Sequence, residues 1–204
     1  MSEPAAHYFN TDPDTPSRPK DLVVGGVNPP LRLQTDRGVF SHGQLDEGTN
    51  VLLRSAPPLP ATGRFLDLGC GTGAMALVMA RRSPDATVVA IDVNERARRL
   101  TADNATANDI TNVGVAAPDD DAIGSTPFDV IWSNPPIRVG KAALHEMLMR
   151  WLDRLAPDGY ALLVVHKNLG SDSLQRWLTE HGHPTQRLIS SRGYRLLRVT
   201  RSGT

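Results

Sequence analysis

The sequence predicts an α/β protein: a doubly wound, mostly parallel sheet of seven strands with helices on both faces, preceded by an N-terminal hairpin. Three observations carry this. From Arg64 onward, short near-continuous apolar runs alternate with stretches whose apolar residues recur at helical spacing, the pattern of strands buried on both faces. The first run passes into a helix through three glycines in five residues, Gly69, Gly71 and Gly73. The last two runs, QRLIS and GYRLLRVT, lie close enough to pair as an antiparallel edge.

Taken in order, residues 1–19 read as a flexible leader with four prolines, several acids and few apolar residues. Residues 20–60 read as an extension. There DLVVGGVNPPLRLQT supplies two short strands around a Gly/Asn/Pro turn, and QLDEGTNVLLRSA a helix that turns Leu45, Val51, Leu52 and Ala56 inward. PPLPATG ends that helix and opens the main domain, residues 61–204. RFLDL is its first strand and TGAMALVMARRS its first helix; TVVAIDV follows, then NERARRLTADNATAN with Asn94 as N-cap. NVGVA and FDVIWS are the third and fourth strands. The long helix GKAALHEMLMRWLDRLA is expected to run up to Pro157, Asp158 and Gly159. YALLVVH is the fifth strand, SDSLQRWLTEHG a helix ending at Gly182, and the two edge strands close the chain.

Of 204 residues, 40% are apolar and 22% charged, the balance of a soluble globular domain. No run approaches the ~18 apolar residues of a membrane span, and the polar N-terminus lacks the apolar core of a secretory signal. A single cysteine, Cys70, excludes an internal disulfide and suits a reducing cytoplasm. Zero net charge argues against coating nucleic acid by bulk electrostatics. From Ala161 onward, however, Lys167, Arg176, Arg187, Arg192, Arg195, Arg198 and Arg201 stand against only Asp172 and Glu180. This local bias fits a nucleic-acid surface or an ordinary solvated face equally well.

The glycine loop, Phe65-Leu-Asp-Leu-Gly-Cys-Gly-Thr-Gly73, lets the backbone turn tightly and approach a ligand without an intervening Cβ. Asp92 ends the next strand, where its carboxylate can accept the hydroxyls of a ribose. Gly69, Gly71 and Ala74 also satisfy a dinucleotide-binding spacing. Asp67 argues for a different ligand: a carboxylate there repels a pyrophosphate and can hold the amino group of a methionine moiety. Cys70 has no basic neighbour in sequence and reads as a small buried filler.

At the end of the fourth strand, Asn134-Pro135-Pro136-Ile137 takes the chain out of the sheet in a rigid turn. That is the carboxyl edge, where open α/β sheets bind ligands. The Asn134 side-chain oxygen and the Pro135 carbonyl are two acceptors for the hydrogens of an NH2 group. Such bonds can pyramidalise a nitrogen and aim its lone pair at the methyl of a sulfonium, which is catalysis by positioning and electrostatics. Read alone, the turn is better taken as a loop stop with Asn134 closing an Asx turn; the glycine loop upstream is what favours the catalytic reading.

Taken with His7-Tyr8-Phe9, Gly38-Val-Phe-Ser41, Leu45-Asp-Glu-Gly48, Ser133-Asn-Pro-Pro-Ile-Arg-Val-Gly-Lys141 and Arg192-Gly-Tyr194, these features resemble one family. The chain is similar to the small-domain class I S-adenosylmethionine-dependent methyltransferases of the RsmC type, guanine-N2 enzymes of small-subunit ribosomal RNA. Within them it is nearest the compact single-domain members. The resemblance covers about residues 7 to 200. It implies a Rossmann-like class I fold with S-adenosylmethionine as cofactor and RNA as partner. It also implies that Asp67, Gly69 and Gly71 hold the methionine end and Asp92 the ribose, and that Phe40 and Ser41 close over the cofactor. Asp119 becomes the candidate at the adenine ring, and Asn134 holds the target amine with Pro135 and Pro136. Many relatives carry Phe or Tyr after the prolines, where it stacks on a flipped-out base; Ile137 offers only an apolar contact.

Other residues have weaker claims. Arg138 and Lys141 suit contacts to substrate phosphates, or simply solvent at the start of the long helix. His166 is a general-base candidate or a polar strand end, and Tyr194 a stacking residue or an exposed edge-strand tyrosine. Trp132 and Trp177 read as core, and no Cys/His cluster has metal-ligand spacing. Competing functions are methylation of adenine N6 or a protein glutamine amide, a non-catalytic assembly factor, and a nicotinamide-dependent reductase.

Overall fold

The computed structural model describes residues 16–40 and 43–202. Strands β1 (Lys20–Val24) and β2 (Leu31–Thr35) form the antiparallel hairpin. Helix α1 (Glu47–Ser55) follows, its N-terminus capped by the Asp46 side chain, which accepts from the Thr49 N–H. The main unit then runs β3 (Thr62–Leu68), α2 (Ala74–Arg82), β4 (Asp85–Ile91), α3 (Glu95–Ala107), β5 (Val113–Ala116) and β6 (Phe128–Ser133). It ends with α4 (Lys141–Leu152), β7 (Leu155–His166), α5 (Ser171–Glu180), β8 (Thr185–Ser191) and β9 (Tyr194–Thr200).

The seven strands of the large sheet lie in the order β5-β4-β3-β6-β7-β9-β8. Pairings from β5 through β7 are parallel, and β9 joins β7 and β8 antiparallel. Strand direction alternates side chains between two apolar layers. Phe65, Val88, Val130, Trp132 and Leu162 pack under α1, α2 and the hairpin residues Val24, Leu31 and Leu33. Leu66, Ile131, Leu163 and Leu197 pack under α4 and α5, around Trp151 and Leu178. The hairpin is therefore welded to the sheet's first face. Asn104 of α3 and Asn108, which caps its C-terminus, reinforce it, each accepting a backbone N–H of β2 and donating back to the same residue's carbonyl. Arg82 adds a bond from α2 to the Leu53 carbonyl of α1.

The predicted helix ending at Pro157 stops earlier. α4 ends at Leu152, and β7 begins at Leu155, before the first of the expected stop signals, Pro157, is reached. The register shifts between Phe128, opposite Leu155, and Val130, opposite Tyr160, so residues 156–159 bulge out of the strand. Gly159 makes this possible: a Cβ there would stand 2.8 Å from the Phe128 carbonyl oxygen. Trp132 is fully buried core. Trp177 is only half-buried, stacked face to face on His145 at 3.5 Å between centroids and against His181 at 4.3 Å.

After β5 the chain returns to the other side of β3 to lay down β6, so the strand order reverses between those two strands. Loops leaving their carboxyl ends diverge and open a crevice. Both sequence motifs, Gly69–Gly73 and Asn134–Pro136, leave the sheet there.

Candidate active site

A cavity of about 1030 Å³ opens at this switch point. Small-molecule pockets run to about 1,000 Å³, so it has room for a cofactor and a second ligand. Phe40, Gly69, Gly71, Asp92 and Asp119 line one part of it, and Asn134, Pro135, Pro136 and Ile137 another. The residues singled out in two separate motifs thus share one space. Ser41 and His7-Tyr8-Phe9 lie outside the described residues, as does the Arg138 side chain. Lys141 begins α4 exposed and is not part of the cavity wall.

The glycine loop is held by backbone bonds. Gly69 and Cys70 N–H both donate to the Ile91 carbonyl at 2.9 Å, and Gly73 N–H to that of Cys70 at 2.8 Å. Gly69 (φ +81°) and Gly71 (φ +55°) occupy the left-handed region, and a Cβ on Gly69 would meet nothing within 4 Å. Gly73 is different: its missing Cβ leaves room for Thr101 and Leu77, so it serves packing of α2 on α3. Cys70 is buried, takes a hydrogen bond from the Thr101 hydroxyl, and has its thiol pushed up by burial and by Asp92 and Asp67. It is inert filler.

Asp92 stands at the cavity wall. Its Oδ2 accepts from Gly71 N–H and its Oδ1 from Asn94 N–H, both at 2.9 Å. Burial raises its pKa against those bonds. Each oxygen keeps a further lone pair for a hydroxyl donor. Asn94 also donates to the Gly38 carbonyl at 2.8 Å, which ties the Phe40 segment to this strand end.

Asp67 sits one layer below the position expected of it. It faces α2 rather than the cavity, wholly buried, because alternate residues of β3 point to that side. Oδ2 accepts from Ala76 N–H at 2.8 Å, while Oδ1 is buried with no partner among the described residues. Burial raises its pKa to about 7, opposed by the Ala76 bond and assisted by Asp92. Asp119 lies at the opposite extreme: its side chain is 86% exposed on the rim and ion-paired with Arg150 at 2.9 Å.

Asn134 is the most constrained of the group. Its Nδ2 donates to Asp46 Oδ2 at 2.7 Å and to Thr49 Oγ1 at 3.1 Å. A carboxylate can only accept, so the amide nitrogen must face Asp46, and Oδ1 is left as the acceptor. The Ser133 hydroxyl, one residue earlier, donates to the Leu68 carbonyl at 2.7 Å and locks β6 to β3 where both motifs begin. Pro135 O already accepts from Ile137 N–H at 2.8 Å, so one of its two lone pairs serves the turn itself.

Asp46 and Thr49 are residues to which sequence reading gave no role. The only signal was the resemblance motif Leu45-Asp-Glu-Gly48. A second motif meets it: a Cβ on Gly48 would come within 2.8 Å of the Tyr194 ring, and Arg192 pairs with Glu47 at 3.1 Å. Tyr194 lines the cavity instead of standing on an exposed edge, and burial with Asp46 and Glu47 raises its phenol. His166 lies edge-on to Tyr194 at 5.0 Å, also at the cavity, its Nδ1 accepting from Asn168 N–H.

The C-terminal cations are partly neutralised. Arg187 and Arg195 pair with Asp172, Arg192 with Glu47, and Arg198 lies over the Tyr160 ring. Among the described residues no group of three or more His, Cys, Asp or Glu could hold a metal, and no helix is long and apolar enough to cross a membrane.

The profile of the methyltransferase small domain family matches residues 30–198. The chain is 32% identical over 201 residues to the uncharacterised protein YbxB of Bacillus subtilis, covering 98% of both. It is 34% identical over 171 residues to the ribosomal RNA small subunit methyltransferase C of Pseudomonas aeruginosa, covering 81% of this chain and 49% of that one. Among solved structures it resembles the T. thermophilus 16S rRNA N2 methyltransferase RsmC, in complex with AdoMet and guanosine. The TM-score is 0.77 at 26% identity, over 93% of this chain and 52% of that one. This chain thus spans about half the length of the methyltransferase C relatives. The ribosomal protein L11 methylase of Lactobacillus delbrueckii, at 19% identity and TM-score 0.60, shares the fold alone.

Proposed function

The chain belongs to the methyltransferase small domain family, and on that premise we propose that it is an S-adenosylmethionine-dependent methyltransferase of the N2 amino group of guanine in small-subunit ribosomal RNA. The observation that carries this reading is Asn134: its amide is clamped by Asp46 and Thr49 so that only its oxygen is free to meet an amine, in the cavity that also holds the glycine loop.

The residues present suit the cofactor. Asp67, buried against α2 with Oδ1 unpartnered, stands outside the cavity wall, so it can favour an ammonium group at the glycine loop through its charge when ionised but not as part of the wall. Gly69 leaves open space where a side chain would stand. The Asp92 carboxylate has lone pairs for ribose hydroxyls, and the half-exposed Val93 beside Ala117 and Pro118 offers an apolar slot for an adenine ring, with Asp119 at its rim. Phe40, 47% exposed above Gly71, is placed to cover the bound molecule. When bound, the cofactor supplies an electrophilic methyl group on a sulfonium sulfur.

Asn134 Oδ1 and the second lone pair of Pro135 O accept the two amine hydrogens and turn the nitrogen lone pair out of conjugation. Ile137 gives the base an apolar contact. The nitrogen sheds its extra proton once it carries the methyl, so no side chain has to act as base beforehand. Three of the C-terminal arginines, Arg187, Arg192 and Arg195, are tied to Asp172 and Glu47, which shifts the weight of recognition toward the cavity. The guanosine and AdoMet held by the T. thermophilus relative support both ligand assignments.

Mass spectrometry of nucleosides from small-subunit ribosomal RNA, in cells with and without the gene, tests this reading. Loss of N2-methylguanosine at one site is expected; unchanged ribosomal RNA would overturn the substrate.

A further inference from the structure

Resting on the guanine reading above, we infer that Asp46 reads the ring N1–H of the target base and thereby selects guanine over bases that present a ring lone pair beside the amine. Asp46 is half-buried and lines the cavity with Asn134. Its Oδ2 is fully employed, accepting from Thr49 N–H at 3.0 Å and from Asn134 Nδ2 at 2.7 Å. Its Oδ1 accepts nothing from the described residues and is not sealed from solvent, unlike Oδ1 of Asp67. The residue bonded to Asn134 thus offers the cavity a second acceptor, and this one is charged.

Two neighbouring acceptors match an edge with two neighbouring donors. On a base turned out of its stack, guanine offers such an edge, N1–H beside the N2 amine. Adenine and cytosine place a lone-pair nitrogen beside their amine, and a carboxylate repels it. A hydrogen bond from N1–H to a carboxylate is charge-assisted and worth about 10- to 150-fold in binding. The cap and the reader are then one residue, with Oδ2 fixing α1 and Asn134 while Oδ1 meets the substrate.

Asp46→Asn separates those two tasks. Asn caps a helix as well as Asp, so the amide oxygen takes over the bonds from Thr49 and Asn134. The NH2 group is thereby forced into the place of Oδ1, and an acceptor becomes a donor. The experiment compares binding of guanosine and of fluorescent 2-aminopurine riboside, with S-adenosylhomocysteine present. 2-Aminopurine keeps the amine but has a lone pair at N1.

The original protein is expected to prefer guanosine by about 10- to 150-fold. In the Asp46→Asn variant the preference should vanish or invert, with melting temperature and S-adenosylhomocysteine affinity unchanged. If both nucleosides weaken by the same factor, or neither changes, Asp46 does not read the base and the inference is overturned while the guanine reading stands. If the original protein binds S-adenosylhomocysteine but neither nucleoside, the guanine reading itself fails and the inference falls with it.

Discussion

Replacing Asp67 with Asn should make the cofactor-free protein more tolerant of alkaline pH while weakening the cofactor. Asp67 is wholly buried between β3 and α2 and has an unpartnered Oδ1. Burial moves its pKa from 3.8 to about 7. Between those values the folded chain holds this proton more tightly than the unfolded chain. Stability from this group is therefore fully present below pH 3.8 and is lost as pH rises through 7. At 1.36 kcal/mol per unit, the whole displacement corresponds to ~4 kcal/mol, of which ~2–3 kcal/mol falls between pH 5 and pH 8. In Asp67→Asn the amide oxygen can still accept from Ala76 N–H, and the new NH2 carries a fixed, pH-independent cost of about 1–3 kcal/mol if unpaired. Urea unfolding followed by circular dichroism at pH 5, 6, 7 and 8, without cofactor, measures both proteins. The stability difference, variant minus original, should rise by ~2–3 kcal/mol across that range. A difference that stays constant with pH would refute the buried, strongly shifted carboxylate. S-adenosylhomocysteine should bind the variant more weakly at pH 8, where the original protein offers an ionised Asp67.

Further outcomes follow from the same geometry. Asn134→Ala should cut turnover by about 10²–10³-fold, as for loss of one preorganised transition-state contact, with cofactor affinity unchanged in a calorimetric titration. An equal loss in both would make Asn134 a cofactor residue. Asp92→Ala should weaken the cofactor by ~1.5–3 kcal/mol, the value of hydrogen bonds to a charged group, and an unchanged dissociation constant would remove Asp92 from the site. Gly73→Ala should destabilise the fold by about 2–4 kcal/mol, since φ is +83° and the Cβ would approach Thr101 Cγ2 to 2.8 Å. Gly69→Ala, with open space around it, should cost less in thermal unfolding but more in cofactor binding.

The sheet was legible in the sequence because strands buried on both faces leave nearly unbroken apolar runs, as in FDVIWS and YALLVVH. The end of α4 was not. Pro157 and Gly159 signal a break, but whether the break ends a helix or bulges a strand depends on the Phe128 carbonyl packed against Gly159, a tertiary contact. The glycine loop and the Asn-Pro-Pro turn were legible as local backbone devices at the carboxyl edge of the sheet, and the fold brings both to one cavity. The partners of Asn134 were not: Asp46 and Thr49 lie 88 and 85 positions away, and only the fold brings them together. Asp67 shows a finer limit. Sequence places an acid near the end of a strand, while the choice between cavity and helix face turns on a single step of side-chain alternation. Tyr194 reads from sequence as either a stacking residue or an exposed edge residue, and the missing Cβ of Gly48 leaves its ring room at the cavity.

The most direct measurement is transfer in vitro. Purified protein, methyl-labelled S-adenosylmethionine and unmodified small-subunit ribosomal RNA are incubated, and the RNA is digested and resolved by mass spectrometry. The account predicts label in N2-methylguanosine, at one site, dependent on Asn134. Label in N6-methyladenosine, or none in a protein that binds the cofactor, would contradict it.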